Sequence, residues 1–512
     1  MIGRVVMRFA VWILSLVALG SYVWLGIHRV PYRLELDCIE GPIMDHVARL
    51  AHGQPIYVAP SLHYIPLAYM PFFPFVSSLL ARAFGPAMWE PRLVSFASSL
   101  LLAALAAGVV LAETRRPTLA IAAAGIYAMA FDITGACYDV ARPDSLMLLL
   151  TFAGLAALRW SRGVPGVLAA ALLLTLGFFT KQHSALFALG ALAYVLFHDR
   201  RRFAAFALAL AAGCGGGYLL LTGWLGPWFP VYTWSIPRGW SQVDRARISL
   251  YLGRGLFGNL AAMSVPSLLS LGVAGRPARG GPALWYWTGL ASVGTGLMAT
   301  LDPSAYHHVL IPTVIGLAIL GPIALDRLAQ QLETGAGGHG LAGSAAAYAV
   351  AAVQFLPLLY PVHAQMPHRH AREAEAQFAA RLRSFPDGVL VPGHGWYTTR
   401  FLGTGSLHII PLDDITRSRG NAILHRDPRA LERLFAPLLA GPHRPAIVAD
   451  LPLASQGPMW KFIAPGYRLA DSLGTLSDVL RPITGNQYAP TYVYLPVEGT
   501  RPPPPVGGPS TP

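Results

Sequence analysis

Ionisable side chains collect in three short stretches of an otherwise apolar sequence. The first is Asp37-Cys38-Ile39-Glu40-Gly41, followed by a helix-like run from Met44 to Leu50 that carries Asp45, His46 and Arg49. The second is Asp132 to Asp144, with Asp139, Arg142 and Asp144 crowded between apolar segments. The third is Thr180-Lys181-Gln182-His183. A carboxylate at a membrane surface can accept a proton as a general base. A lysine there can hold a phosphate as a point charge. Charged groups beside hydrocarbon are expensive, which marks them as functional candidates. Each stretch also has a plainer reading. Asp37 or Glu40 can be a solvated acid capping the next helix. Arg142 can simply pair with Asp139 or Asp144 while Asp144 caps the following helix, and Lys181 can snorkel. Further candidates are Arg238, Arg245 and Arg247, and the pair His307-His308. Trp228, Trp234 and Trp240 read as an interfacial aromatic belt.

The elements that position these groups are membrane helices. Of 512 residues, 54% are hydrophobic and only 12% charged, about half the charge of an ordinary soluble protein. Mean hydropathy is +0.47. The apolar residues come in runs of about 20, the length that spans ~30 Å of hydrocarbon as helix. This excludes disorder, a purely soluble enzyme and a β-barrel, whose strands would alternate with period two. The net charge of +13 fits arginines concentrated in cytoplasmic loops. No basic run is interleaved with stacking aromatics, so no nucleic-acid partner is expected.

Hydropathy gives twelve apolar segments: 9–27, 66–84, 92–112, 117–131, 145–160, 164–180, 184–197, 203–223, 256–274, 283–300, 306–325 and 341–360. Arg4 and Arg8 set the N-terminus inside. The later basic breaks are Arg115-Arg116, Arg159/Arg162, Arg200-Arg201-Arg202, Arg276/Arg279 and Arg327. All of them fall inside only if 66–84 does not cross. Pro66, Pro71 and Pro74 interrupt that segment, so it is read as a re-entrant or interfacial helix. About eleven spans result. Residues 28–91 become a first outer loop and 132–144 a second; 181–183, 224–255 and 301–305 are also outside. The transmembrane part runs over 1–361.

From 362 charges return, with β-like runs at 388–392, 446–450 and 491–495 and a helical pattern over 428–439. This predicts a soluble α/β domain over 362–500 on the outer side, and a Pro/Gly-rich disordered tail over 501–512. Cys38 and Cys137 fall on the same side, where a disulfide is open to them. Nothing resembles a nucleotide-binding motif, so an activated donor outside the cell must arrive in the membrane.

These groups, in this order, resemble the GT-C superfamily of membrane glycosyltransferases, which includes protein O-mannosyltransferases, aminoarabinose transferases and bacterial lipopolysaccharide sugar transferases. The resemblance covers residues 8–325, more loosely the C-terminal part. The first-loop pattern of the family reads here Glu40, Ala48-Arg49, Gly53, Tyr57, then Tyr69-Met70-Pro71-Phe72-Phe73-Pro74, Phe84-Gly85 and Arg92-Leu93. It selects Glu40 over Asp37 as the equivalent of the catalytic acid. Many relatives place a Lys or His before Pro-Pro; Met70-Pro71 departs from that, which moves the phosphate contact to Arg142, Lys181 or His183. The second-loop acid matches Asp144, with Asp139 as its partner, and Lys181-Gln182 matches a bacterial subgroup.

The resemblance implies transfer of a sugar from a polyprenyl-phosphate donor, with inversion, to a glycolipid, polysaccharide or protein acceptor. The site would lie on the outer face of a bacterial inner membrane. Glu40, Asp139 and Asp144 are the catalytic candidates. Asp37, Arg49, Tyr69, Arg142, Lys181, Gln182, His183, His307 and His308 are the substrate-binding candidates. Whether Asp139 and Asp144 orient the acceptor or, with Glu40, ligate a divalent cation is left open, and no other cofactor is expected. Glu40 and Asp144 are expected to converge on one lipid-borne sugar. The alternative from another class is a transporter or carrier-lipid flippase, which would favour charges at the membrane midplane.

Overall fold

The computed structural model describes residues 2–273, 283–335, 342–427, 429–440 and 443–497. The expected tail at 501–512 and the basic break Arg276/Arg279 lie outside the described residues. The chain divides into two compact units. One comprises Met1–Tyr32, Tyr69–Pro227 and Trp240–Pro367; the other Arg33–Ala68, Trp228–Gly239 and His368–Pro512. Most of the first outer loop thus belongs with the C-terminal segment.

The first unit is helical. Among the described residues, five of its helices are long and apolar enough to cross a membrane: Ile2–Arg29, Trp89–Thr114, Gly163–Thr180, Arg200–Leu225 and His307–Glu333. Arg245–Asn259 and Ala261–Gly272 meet at 89° and would make a sixth if they form one broken span. The expected outer loop 224–255 is therefore partly helical. Asp144–Trp160 and Ala283–Ala299 are shorter apolar helices, as are Pro117–Met129 and Ser184–His198.

Helix Ile2–Arg29 has two faces set by the 3.6-residue period. Val11, Ser15, Ala18, Tyr22 and Leu25 are buried. Ile2, Val5, Phe9, Ile13 and Leu16 are exposed on the other side, an apolar stripe that suits lipid rather than water. Gly125 lets helix Pro117–Met129 approach it: a Cβ there would stand 2.6 Å from the Ser15 backbone. Arg115 adopts a left-handed φ of 58°, and Pro117 then opens the next helix, where its missing N–H costs nothing.

The three prolines of segment 66–84 do not kink a helix. They precede or open one, since the helix runs only over Phe72–Phe84 with Pro71 as its N-cap. Its 13 residues reach about 20 Å, short of a bilayer crossing.

The second unit carries a four-stranded sheet of β1 (Val389–Leu390), β2 (Ala446–Ala449), β3 (Tyr467–Ser472) and β4 (Tyr492–Pro496), in the order β1-β2-β4-β3. β1 pairs parallel with β2 at Val389↔Ala446; the β2–β4 and β3–β4 pairs are antiparallel. β2 is apolar and buried throughout, as an interior strand must be. The helical pattern at 428–439 is realised as Ala430–Phe435 plus a 3-10 turn, Ala436–Leu438.

Candidate active site

In the first unit, Asp144 opens helix Asp144–Trp160 but caps nothing. Its Oδ1 accepts from Lys181 Nζ at 2.7 Å, and its Oδ2 lies 3.6 Å from Arg142 Nε. Lys181 is buried, so it does not snorkel. Its Nζ also sits 5.9 Å from the Tyr69 ring centroid. His183 and His308 are within electrostatic reach of Lys181 and Asp144. Among the described residues, buried atoms here without a hydrogen-bond partner include His183 Nδ1, His308 Nδ1 and Asp144 Oδ2, whose contact with Arg142 is an ion pair only. Buried polar atoms are ordinarily paired, so a group of orphans marks a place for a polar ligand. Gln182, half-buried, follows Lys181 in the loop before helix Ser184–His198.

Asp139 pairs with Arg29. Arg29, at the end of the first helix, takes both its oxygens at 2.7 and 3.1 Å. The same guanidinium donates to the carbonyls of Ala136 and Gln365, each at 3.0 Å. His307 lines a separate cavity of about 310 Å3 with Asp132, Arg247, Arg254 and Tyr306.

In the second unit, Glu40 opens a helix that runs over Glu40–Ala51, longer than the expected 44–50. Glu40 and Asp37 are buried, not solvated. Glu40 Oε2 accepts from the N–H of Leu36 at 2.6 Å and of Asp37 at 3.4 Å. Asp37 Oδ1 accepts from the Ile39 N–H at 3.2 Å. One turn on, Asp45 accepts from Thr399 Oγ1 and His408 Nε2, each at 3.0 Å. His408 Nδ1 in turn accepts from the Gly395 N–H at 3.3 Å. Arg49 donates from Nε to the Pro55 carbonyl at 2.8 Å and lies 4.3 Å over the Tyr64 ring. It lines a cavity of about 550 Å3 with Asp45, His52, His63 and Thr399.

Sequence reasoning missed the innermost pair. Glu35 accepts from His394 Nδ1 with both side chains fully buried, and Asp450 Oδ2 lies 3.6 Å from His394 Nε2. A Cβ on Gly393 would clash with that Asp450 oxygen, so any larger residue would have to displace the Asp450 carboxylate. A histidine between two glycines, Gly393-His394-Gly395, was the available signal.

Three solved structures share this architecture. ArnT from Cupriavidus metallidurans in the apo state aligns over 94% of this chain and 97% of its own, with a TM-score of 0.58 at 15% identity. The same protein bound to undecaprenyl phosphate aligns over 96% and 98%, with a TM-score of 0.58 at 13% identity. The archaeal oligosaccharyltransferase AglB from Archaeoglobus fulgidus, in complex with an inhibitory peptide and a dolichol-phosphate, aligns over 86% of this chain and 69% of its own, with a TM-score of 0.56 at 12% identity. This chain has the GT-C fold. No protein-family model matches the sequence, and no curated protein matches it.

Within the GT-C fold, the candidates divide between the units. Asp139, Asp144, Arg142, Lys181, Gln182, His183, Tyr69, His307 and His308 belong to the first, Asp37, Glu40 and Arg49 to the second. A divalent cation does not fit the donors present. Among the described residues no three His, Cys, Asp or Glu side chains gather to hold one, and Asp139 and Asp144 each carry a cationic partner.

The second unit's histidines predict a pH optimum of stability. Burial lowers His394, but Glu35 and Asp450 outweigh it and hold the group up at about 9. Its contribution is full below the unfolded value near 6.5 and is lost as pH rises through about 9. His46 accepts from the Leu67 N–H at 3.0 Å, and burial, with Arg49 adding to it, drops it to about 3. An unfolded His46 takes up a proton that the folded one refuses, so stability also falls as pH drops below about 6.5. These two groups place the highest unfolding midpoint near pH 6.5, read by thermal melts in detergent from pH 4 to 10.

Proposed function

We propose that this protein is a membrane glycosyltransferase. In this reading it moves a sugar from a polyprenyl-phosphate donor to a glycolipid, polysaccharide or protein acceptor, at the outer face of a bacterial inner membrane. The observation that carries the reading is the buried Lys181–Asp144–Arg142 cluster, with the His183 and His308 Nδ1 atoms beside it lacking hydrogen-bond partners, in a chain with the fold of ArnT and AglB. Buried cationic side chains beside a membrane helix suit the phosphate of a lipid carrier. The cavity that Arg247 and Arg254 line together with Leu250 and Leu310 adds a second element of that kind.

Glu40 is assigned as the general base. It takes the proton of an acceptor hydroxyl or amine, whose oxygen or nitrogen attacks the anomeric carbon. The bond from that carbon to the phosphate oxygen breaks, and polyprenyl phosphate leaves with the electron pair. Lys181 and Arg142 stabilise the charge growing on the phosphate. Inversion at the anomeric carbon follows from a single displacement. The reading requires Glu40 and the Lys181–Asp144 pair to act on one donor molecule.

The test is transfer from a radiolabelled polyprenyl-phosphate sugar by the purified protein in nanodiscs, with membrane glycolipid as acceptor. Product formation is expected. Carrier movement across vesicles without any transfer would favour a flippase and overturn the reading. A Lys181→Gln variant is expected to raise the donor KM about tenfold or more, equivalent to at least ~1.4 kcal/mol. Lys181→Arg, which keeps the charge, is expected to lose less.

A further inference from the structure

The candidate base is held by backbone, and that backbone is held by the C-terminal segment. Leu36 and Asp37 donate their N–H groups to Glu40 Oε2. The three-residue stretch that supplies them is fixed at four points. The Glu35 N–H donates to Tyr397 Oη at 3.0 Å. The Glu35 carboxylate accepts from His394 Nδ1. The Leu36 carbonyl accepts from the Thr484 N–H at 2.8 Å. Asp37 packs so tightly on Gly485 that a Cβ there would stand 2.8 Å from its Oδ1. Two of these contacts, Glu35 N–H to Tyr397 and Thr484 N–H to the Leu36 carbonyl, use neutral groups whose strength does not change with pH, and the Asp37–Gly485 contact is one of packing. The His394–Glu35 contact is the exception.

We infer that His394 is a positioning residue for the Glu40 carboxylate, acting through Glu35 and the backbone of residues 35–37. This rests on the assignment of Glu40 as the base. His394 itself is fully buried. Its ionised form locks the Glu35 side chain, and with it the orientation of the Leu36 N–H. The groups that face it are Glu35, Asp450, the stacked Tyr397 ring at 5.9 Å and the Tyr488 backbone. Glu35 in turn feels His408 and Glu40, and His408 is tied to Asp45. Burial pushes the Glu35 and Asp450 carboxyls up, with His394 pulling each back. Glu35 and Asp450 hold His394 up at about 9, so below that pH it is the imidazolium that donates to Glu35. When the imidazolium loses its proton, the buried Glu35 charge loses its counterion and the anchor fails.

The experiment uses the full-length protein in nanodiscs and measures kcat and donor KM for sugar transfer from pH 6 to 10. The wild-type kcat is expected to fall above about pH 9. His394→Gln is expected to lower kcat at pH 7 about 10²-fold, the scale of a small misplacement of a reacting group. Its donor KM should stay within about threefold, since the phosphate contacts lie elsewhere. Asp450→Asn, a milder change that keeps shape, is expected to move the alkaline fall about one pH unit lower. Hydrogen exchange of the peptide covering 34–40 should quicken in His394→Gln. If folded His394→Gln and Asp450→Asn proteins keep the wild-type kcat and alkaline limb, the inference is wrong. A Glu40→Gln protein that transfers sugar normally would instead remove the base assignment, so the two failures are distinct.

Discussion

Glu40→Gln is expected to lower kcat for sugar transfer about 10³-fold, within the range general base catalysis supplies, while the protein folds normally. The substitution keeps the shape of the side chain. The amide oxygen still accepts from the Leu36 and Asp37 N–H groups that the carboxylate oxygen accepts from now, so no buried donor is orphaned. What is lost is the ability to take a proton. Donor affinity should therefore hardly change, and the loss should appear in single-turnover rates with donor bound. Glu40→Asp separates charge from position. It keeps the carboxylate but shortens the reach by a methylene, so both backbone contacts lengthen. A loss of about 10²-fold is expected there, set by misplacement. Normal turnover by Glu40→Gln would falsify the assignment, and equal loss in both variants would point to geometry rather than proton transfer.

The spans were the most legible part of the chain, for a physical reason. Backbone polar groups in hydrocarbon must be satisfied within the helix, so each helix writes itself as an apolar run. Segments 145–160 and 164–180 correspond to Asp144–Trp160 and Gly163–Thr180 within one residue. Segment 9–27 was shorter than Ile2–Arg29 because Arg4 and Arg8 end the apolar run but not the helix. β1, β2 and β4 were visible as short apolar runs. β3 was not, since Tyr467–Ser472 is an edge strand with five of six residues exposed and carries Arg468 and Asp471. Side-chain partners were the least legible. Arg29 and Asp139 are 110 residues apart and Glu35 and His394 are 359 apart, and no local periodicity encodes such pairs. The burial of Glu40 and Asp37 was hidden for the same reason, because a polar run with Cys38 reads as a surface loop until its cover, from the C-terminal segment, is known.

Asp139→Asn is expected to destabilise the protein by about 3–5 kcal/mol, the cost of leaving a buried charge without its partner. Arg29 is fully buried and gives two hydrogen bonds to Asp139, so an asparagine leaves the guanidinium with neither its countercharge nor its fork geometry. The paired change Arg29→Met with Asp139→Leu removes both charges at once. It should recover most of the loss, since a buried ion pair is often no better than well-packed apolar side chains. Denaturation midpoints in mixed micelles for the two single variants and the double close the cycle and give the coupling between the partners. The same double variant decides what Asp139 does in the reaction. Both Asp139 oxygens accept from Arg29, so Asp139 is expected to tie the end of the first helix to the 132–144 segment. A folded double variant that still transfers sugar fits that role. A folded double variant that has lost transfer while Glu40 and Lys181 are intact would instead put Asp139 among the groups that touch the reacting sugar.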